Sequence, residues 1–188
     1  MDQQQQIIQW LQADPYRMRA LSIARELGLH QWCLAAGFVR NLVWDQLHGY
    51  TSPTPLNDID LVYFDEEDAS EQRDLQLEKQ LLQTPSFQDI PFPWSVKNQA
   101  RMHLHTGRWP YTNMEDAISY WVEVETAIGA KLNNNGDVEL VAPLGVKALF
   151  AKTITLNPKN GEIDTYNQRV NSKGWLQHWP QLRLVVSP

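Results

Sequence analysis

The chain has 188 residues, 43% of them hydrophobic, with a formal net charge of −6, a pI near 5.3 and a mean hydropathy of −0.46. That length suits one domain with a real core, and no apolar run approaches the roughly 18–20 residues of a membrane span. The acidic balance argues against bulk nucleic-acid binding, which relies on basic surfaces, and the single Cys33 removes any intrachain disulfide or Cys-rich zinc site.

In chain order, the opening residues lack the basic start and apolar core of a secretory signal, so the expected compartment is the cytoplasm. Residues 7–11 and 15–27 predict two helices, the second capped by Asp14, started by Pro15 and stopped by Gly28. Residues 32–36 form a short apolar run expected as a buried strand. Gly37 breaks it, and residues 38–48 predict a helix ending at Gly49. Residues 50–57 are loop, and 58–64 alternate as a strand with Ile59, Leu61 and Tyr63 on one face. A polar helix follows through Gln83, with Asp68 and Glu71 at capping-box spacing.

Residues 94–105 alternate as a second strand, which puts His103 and His105 at strand spacing; no further ligand accompanies them, so a structural pair is the reading. Asn113 caps a helix to Trp121. Residues 126–132 and 138–141 flank Asn133-Asn134-Asn135-Gly136, strong hairpin punctuation. Residues 144–155 predict a helix, and the tail from Asn157 is expected as loop with a short helix near 166–170. The eight tryptophans read as anchors of a small core rather than base-stacking platforms. The expected organisation is one domain over 1–188, with a helical N-terminal segment to about 29 and a C-terminal extension from about 144.

The pattern that carries chemistry is strand, glycine, helix, loop, then a strand bearing Asp-x-Asp. It reads Ala35-Ala36-Gly37-Phe38-Val39-Arg40-Asn41, then Leu47-His48-Gly49, then Asn57-Asp58-Ile59-Asp60. A glycine between strand and helix lets backbone approach a phosphate, and the helix N-terminus offers free N–H groups. Period-two spacing puts Asp58 and Asp60 on one face, where both can reach hard cations. Arg40, one turn into the helix, is a candidate for phosphate contact or for pinning the local fold against Asp45 or Asp60. Asp45 itself is expected on the helix surface. Charge is uneven: residues 1–96 hold 6 Lys and Arg against 14 Asp and Glu, and residues 97–188 hold 10 against 8. Most of these charges read as ordinary surface.

These motifs resemble the DNA polymerase β-type nucleotidyltransferase superfamily, and Gly37 to Asn41 with Leu47-His48-Gly49 is similar to the tRNA CCA-adding and poly(A) polymerase pattern. A closer likeness is to a group of uncharacterised bacterial nucleotidyltransferase-like proteins, through Val-Lys-Asn-Gln-Ala-Arg-Met-His at 96–103 and Ala-Pro-Leu-Gly at 142–145. The resemblance implies an α+β polymerase β-like fold, a mixed, mainly antiparallel sheet with helices packed behind it. It further implies Mg²⁺-dependent phosphoryl transfer from an NTP, with Asp58 and Asp60 as catalytic residues and metal ligands. Gly37, Phe38, Arg40, Lys97, Asn98 and Arg101 would then be nucleotide-binding candidates.

Two departures from the pattern stand out. Ala36-Gly37-Phe38 has one glycine followed by a bulky residue, where the superfamily usually has glycine before Gly or Ser. The third carboxylate that normally completes the site is missing from the predicted strand at 94–105; Glu123 and Glu125 are other acids, which sequence does not place. Three functions therefore stay open: transfer of a nucleoside monophosphate to a small-molecule or protein acceptor, a non-catalytic nucleotide-binding or sensor module, and a protein-interaction scaffold.

Overall fold

The computed structural model describes residues 2–186. Helices α1 (Gln3–Gln12) and α2 (Pro15–Glu26) lead in, and the Asp14 carboxylate caps α2 by accepting from the Arg17 amide at 3.0 Å. The buried Arg17 donates through Nε to the Phe38 carbonyl at 2.8 Å, tying α2 to the start of α3 (Gly37–His48). Strand β1 (Trp32–Ala35) precedes α3, and Gly49, at φ 70°, ends that helix in the left-handed region that glycine tolerates. Strand β2 (Ile59–Tyr63) follows the loop. Helix α4 (Glu71–Leu81) is capped by Ser70, whose hydroxyl accepts from the Arg73 amide, rather than by the Asp68–Glu71 box; Asp68 instead accepts from Ser70.

Strand β3 (Trp94–Asn98) is shorter than the alternation predicts. Asn98 ends it: its side-chain oxygen accepts from the Ala100 and Asp65 amides at 3.0 and 3.1 Å, and its nitrogen donates to the Asp65 carbonyl at 2.7 Å. The chain then turns through a 3₁₀ turn (Gln99–Arg101) into α5 (His103–Thr106), so His103 and His105 lie on a helix, not a strand. Helix α6 (Met114–Ile118) is capped by Asn113 as expected. The hairpin of β4 (Gly129–Leu132) and β5 (Val138–Val141) turns on Asn133, whose side chain accepts from the Asn135 and Asp137 amides, each at 2.9 Å.

The main sheet has the order β3-β2-β1-β4-β5; β2 and β3 are parallel and the other pairings antiparallel. This is the expected α+β, mixed and mainly antiparallel architecture. One face, with Leu34, Ile59, Leu61, Tyr63 and Val96, packs in the main core with residues of α1, α2 and α3. The other carries Cys33, Ala35, Val62 and Phe64 in a smaller cluster with Tyr111, Met114 and Ile118. Asp60 alternates onto this second face, beside Ala35 on β1 and Ser95 on β3.

The predicted helix at 144–155 is only α7 (Lys147–Phe150). Lys152, at φ 55°, breaks the chain into β6 (Thr153–Thr155). The tail is far more ordered than its composition suggests. It holds α8 (Ile163–Lys173), α9 (Trp175–His178) and β7 (Arg183–Val185), which pairs in parallel with β6. Among the described residues, no helix is long and apolar enough to cross a membrane.

Candidate functional site

Between α3, the loop before β2 and the tail lies a cleft of about 660 Å³. Its walls include Gly37, Arg40, Asp58, Asp60, Arg169 and Lys173. That volume is in the range of small-molecule sites.

One wall is the start of α3. The Gly37 and Phe38 amides donate to no acceptor among the described residues, while Val39 and Arg40 both bond the Ala36 carbonyl. Two free N–H groups at the positive end of a twelve-residue helix suit an anion. A Cβ on Gly37 would sit 3.4 Å from the Arg40 and Asn41 side chains, within ordinary contact, so glycine here keeps the surface low rather than avoiding a clash. The strained position is one residue earlier. Ala36 has φ 55° and ψ −121°, a conformation that glycine adopts readily and alanine does not. The Phe38 side chain is fully buried in the main core, so only its backbone can face a ligand.

The opposite feature is acidic. Asp58 is exposed just before β2, and Asp60 is partly buried within it; both line the cleft, and neither side chain has a hydrogen-bond or ion-pair partner among the described residues. Burial first, and the neighbouring Asp58 charge second, push the Asp60 carboxyl up to about 6, against the pull of Arg40, Lys173 and Arg169. An unpaired carboxylate held in such surroundings fits a cation ligand. Among the described residues no group of three or more His, Cys, Asp and Glu could hold a metal by itself. Two carboxylates completed by substrate phosphates is the arrangement Mg²⁺ commonly takes.

Arg40 is buried and pairs with neither Asp45 nor Asp60. It donates to Thr126 Oγ1 at 2.8 Å and to Asn41 Oδ1 at 3.0 Å, and lies over the Trp44 and Trp175 rings, 5.0 and 4.7 Å from their centroids. Burial lowers its guanidinium to about 10, with Glu123 acting in the opposite direction. Asp45 is buried rather than on the surface. It accepts from the Thr54 amide at 2.7 Å, the Thr54 hydroxyl at 2.6 Å and Trp179 Nε1 at 2.9 Å. It therefore clamps the loop leading to Asp58 against the tail.

Sequence reading missed the tail's contribution. Arg169 and Lys173 line the cleft from α8, with Trp175, His178 and Trp179 beyond them. Arg169 grips the buried Glu123 through both carboxylate oxygens, at 2.6 and 3.2 Å. Lys173 is exposed and has no partner among the described residues. The short helix expected near 166–170 falls within α8, but no spacing tied its basic residues to Asp60. Two nucleotide-binding candidates lie elsewhere: Asn98 is the fully buried staple described above, and Arg101 is ion-paired to the buried Asp74; neither lines the cleft. Lys97 opens into a second cavity that shares Ala36, Asp60 and Arg169 with the first. Glu125 is buried among the hydroxyls of Thr153 and Thr155, each at 2.7 Å, and serves the β6 region.

Comparison with known proteins gives a consistent result. A nucleotidyltransferase family profile matches residues 22–184. None of the curated proteins matches the chain. A solved structure described as revealing a CCA-adding enzyme head domain is 33% identical, with a TM-score of 0.83 over 97% of this chain and 96% of that one. CCA-adding enzymes solved with CTP and with ATP match at 16% identity, with TM-scores of 0.59 and 0.58. This chain spans 43% and 41% of their lengths, and at that identity they speak for the fold alone. With a profile matching most of its length and a near full-length structural relative, the chain belongs to the nucleotidyltransferase family and has the polymerase β-like fold.

Proposed function

We propose that the cleft binds a nucleoside triphosphate with Mg²⁺ and transfers the nucleoside monophosphate to an acceptor hydroxyl. The observation that carries this is the pair of unpartnered carboxylates, Asp58 and Asp60, sharing one cleft with the free amides of Gly37 and Phe38. The amides would take phosphate oxygens, with Lys173 adding an exposed cation from the tail. Asp58 and Asp60 would hold Mg²⁺, which, when bound, neutralises charge on the phosphates. Arg40 is committed to Thr126, Asn41 and two indoles, so its part is to shape the wall. The match to the nucleotidyltransferase family profile over residues 22–184 supports the ligand class.

A second reading, a nucleotide-binding module without turnover, draws on Glu123. The acid among the walls of the adjoining cavity is already bound to Arg169 by both oxygens. Calorimetry with each NTP, with and without Mg²⁺, tests what both readings share. Metal-dependent binding is expected, and it should vanish in the double variant Asp58→Ala with Asp60→Ala. Absence of any metal-dependent NTP binding sinks both. Release of pyrophosphate from α-labelled NTP with label transfer then separates the enzyme from the module.

A further inference from the structure

On the other side of Asp60 lies the second cavity, about 390 Å³, which joins the first at Ala36, Asp60 and Arg169. Its character is different. Val62 forms its floor on the sheet, and Met102, Tyr111, Tyr120 and Trp121 form much of its wall. Tyr111 and Tyr120 lie 5.5 Å apart at a tilt of 32°, an aromatic flank for a flat body. Lys97 stands beside Val62 in the β2–β3 register, two residues along from the Asp60–Ser95 pair on the same face. Its ammonium has no hydrogen-bond or ion-pair partner among the described residues. The arrangement is thus graded: carboxylates at one end, an apolar aromatic middle, and a free cation along the same face.

We propose that this cavity is the acceptor site, and that the acceptor is a small, flat molecule bearing a hydroxyl and one anionic group. The inference rests on the nucleotidyl-transfer reading above. The hydroxyl would lie toward Asp60, where the two cavities meet, the ring over Val62 and against the tyrosines, and the anion on Lys97. In the transfer, the acceptor oxygen bonds to the α-phosphorus and the α–β bridging P–O bond breaks. Pyrophosphate leaves with that electron pair and the hydroxyl proton passes to solvent. A cavity of this size holds a drug-sized molecule rather than a nucleic-acid duplex, and the chain's charge of −6 does not favour an extended nucleic-acid backbone.

Hydroxynaphthoate is a suitable probe: a flat, fluorescent, hydroxylated aromatic carboxylate. Its binding is measured by fluorescence and calorimetry with the protein alone and saturated with Mg²⁺ and the α,β-methylene analogue of ATP. Expected is one naphthoate site that remains available when the triphosphate analogue is bound. Lys97→Met should weaken the naphthoate about tenfold or more, the scale of a lost hydrogen bond to a charged group. Thr106→Trp, a change at an exposed residue on the cavity wall, should block it without touching the core. Both variants should keep the wild-type unfolding transition and triphosphate affinity. Competition between naphthoate and triphosphate, or full naphthoate affinity in Lys97→Met, overturns the proposal. So does displacement of the naphthoate by a short single-stranded RNA at lower concentration. A protein that binds the triphosphate but not the naphthoate sinks the acceptor assignment alone. One that binds the naphthoate but no triphosphate sinks the nucleotidyl-transfer reading and, with it, the acceptor role.

Discussion

Replacing Asp60 by asparagine should stabilise the protein at neutral pH while removing its metal-dependent ligand. The Asp60 carboxyl is raised from its ordinary 3.8 to about 6, mainly by burial and then by Asp58. A carboxyl raised on folding carries no penalty below about pH 3.8, where both states are protonated; the penalty grows with pH and is complete above the folded value of about 6. A displacement from 3.8 to about 6 corresponds to roughly 3 kcal/mol. Because the side chain is only partly buried and opens on a wet cleft, about 1–3 kcal/mol is the expected gain for Asp60→Asn. For a chain of this length that is a rise of about 2–4 °C per kcal/mol in melting temperature. Urea unfolding of both proteins at about pH 4.5 and about pH 7.5 measures it, with the gap between them widening as pH rises. Mg²⁺ with ATP at about 100 times its Kd should add about 2.7 kcal/mol to the wild type and nothing to the variant. Asp60→Asn equal to or less stable than wild type at the higher pH, or a difference that does not change with pH, would refute the electrostatic account of this cleft.

Other variants test the remaining parts. Gly37→Ala, whose new methyl meets only the side-chain tips of Arg40 and Asn41, should fold with equal or greater stability yet bind NTP about tenfold more weakly by calorimetry. Ala36→Gly should raise stability by about 1 kcal/mol in urea unfolding by relieving the left-handed alanine. Asp74→Ala should cost about 3–5 kcal/mol, read by the same method, because the fully buried carboxylate serves Tyr63, the Asn98 amide and Arg101. Trp179→Phe, which deletes the indole bond to Asp45, should lose about 1–2 kcal/mol and weaken NTP binding through the loop that leads to Asp58.

What the sequence disclosed was local. Pro15 after Asp14, Gly49 after His48 and the Asn133–Gly136 punctuation each set a boundary through a backbone requirement contained in a few residues, and those boundaries hold. The alternation of Ile59, Leu61 and Tyr63 correctly placed Asp60 on the opposite face. The failures have one cause, side chains answering to distant partners. Asn98 ends β3 because Asp65 and Asp68 need its amide, which no reading of residues 94–105 could reveal. Asp45 looked solvated because Thr54 and Trp179 lie outside its helix. Arg169 and Lys173 went unnoticed as cleft residues because α8 meets Asp60 only across the fold, and nothing local to residues 163–173 ties them to it. The tryptophan reading held for Trp44, Trp175 and Trp179, which meet edge to face in the core, and missed Trp109, which is 91% exposed.

The bond from Trp179 to Asp45, the residue that holds Thr54, bears on the order in which the molecule matures. Every strand of the main sheet, both aspartates and the α3 amides leave the ribosome before α8 and α9 do. At about 5–20 residues per second, a nascent chain passes several seconds with its sheet complete and its cleft lacking a wall. During that interval Trp44 lacks Trp175 and Trp179, and Asp45, which holds Thr54 in the loop before Asp58, lacks the indole bond of Trp179. On the proposed function, ligand capture follows the docking of α8 and α9, so a chain that has not yet folded them is expected to gain no stability from a triphosphate.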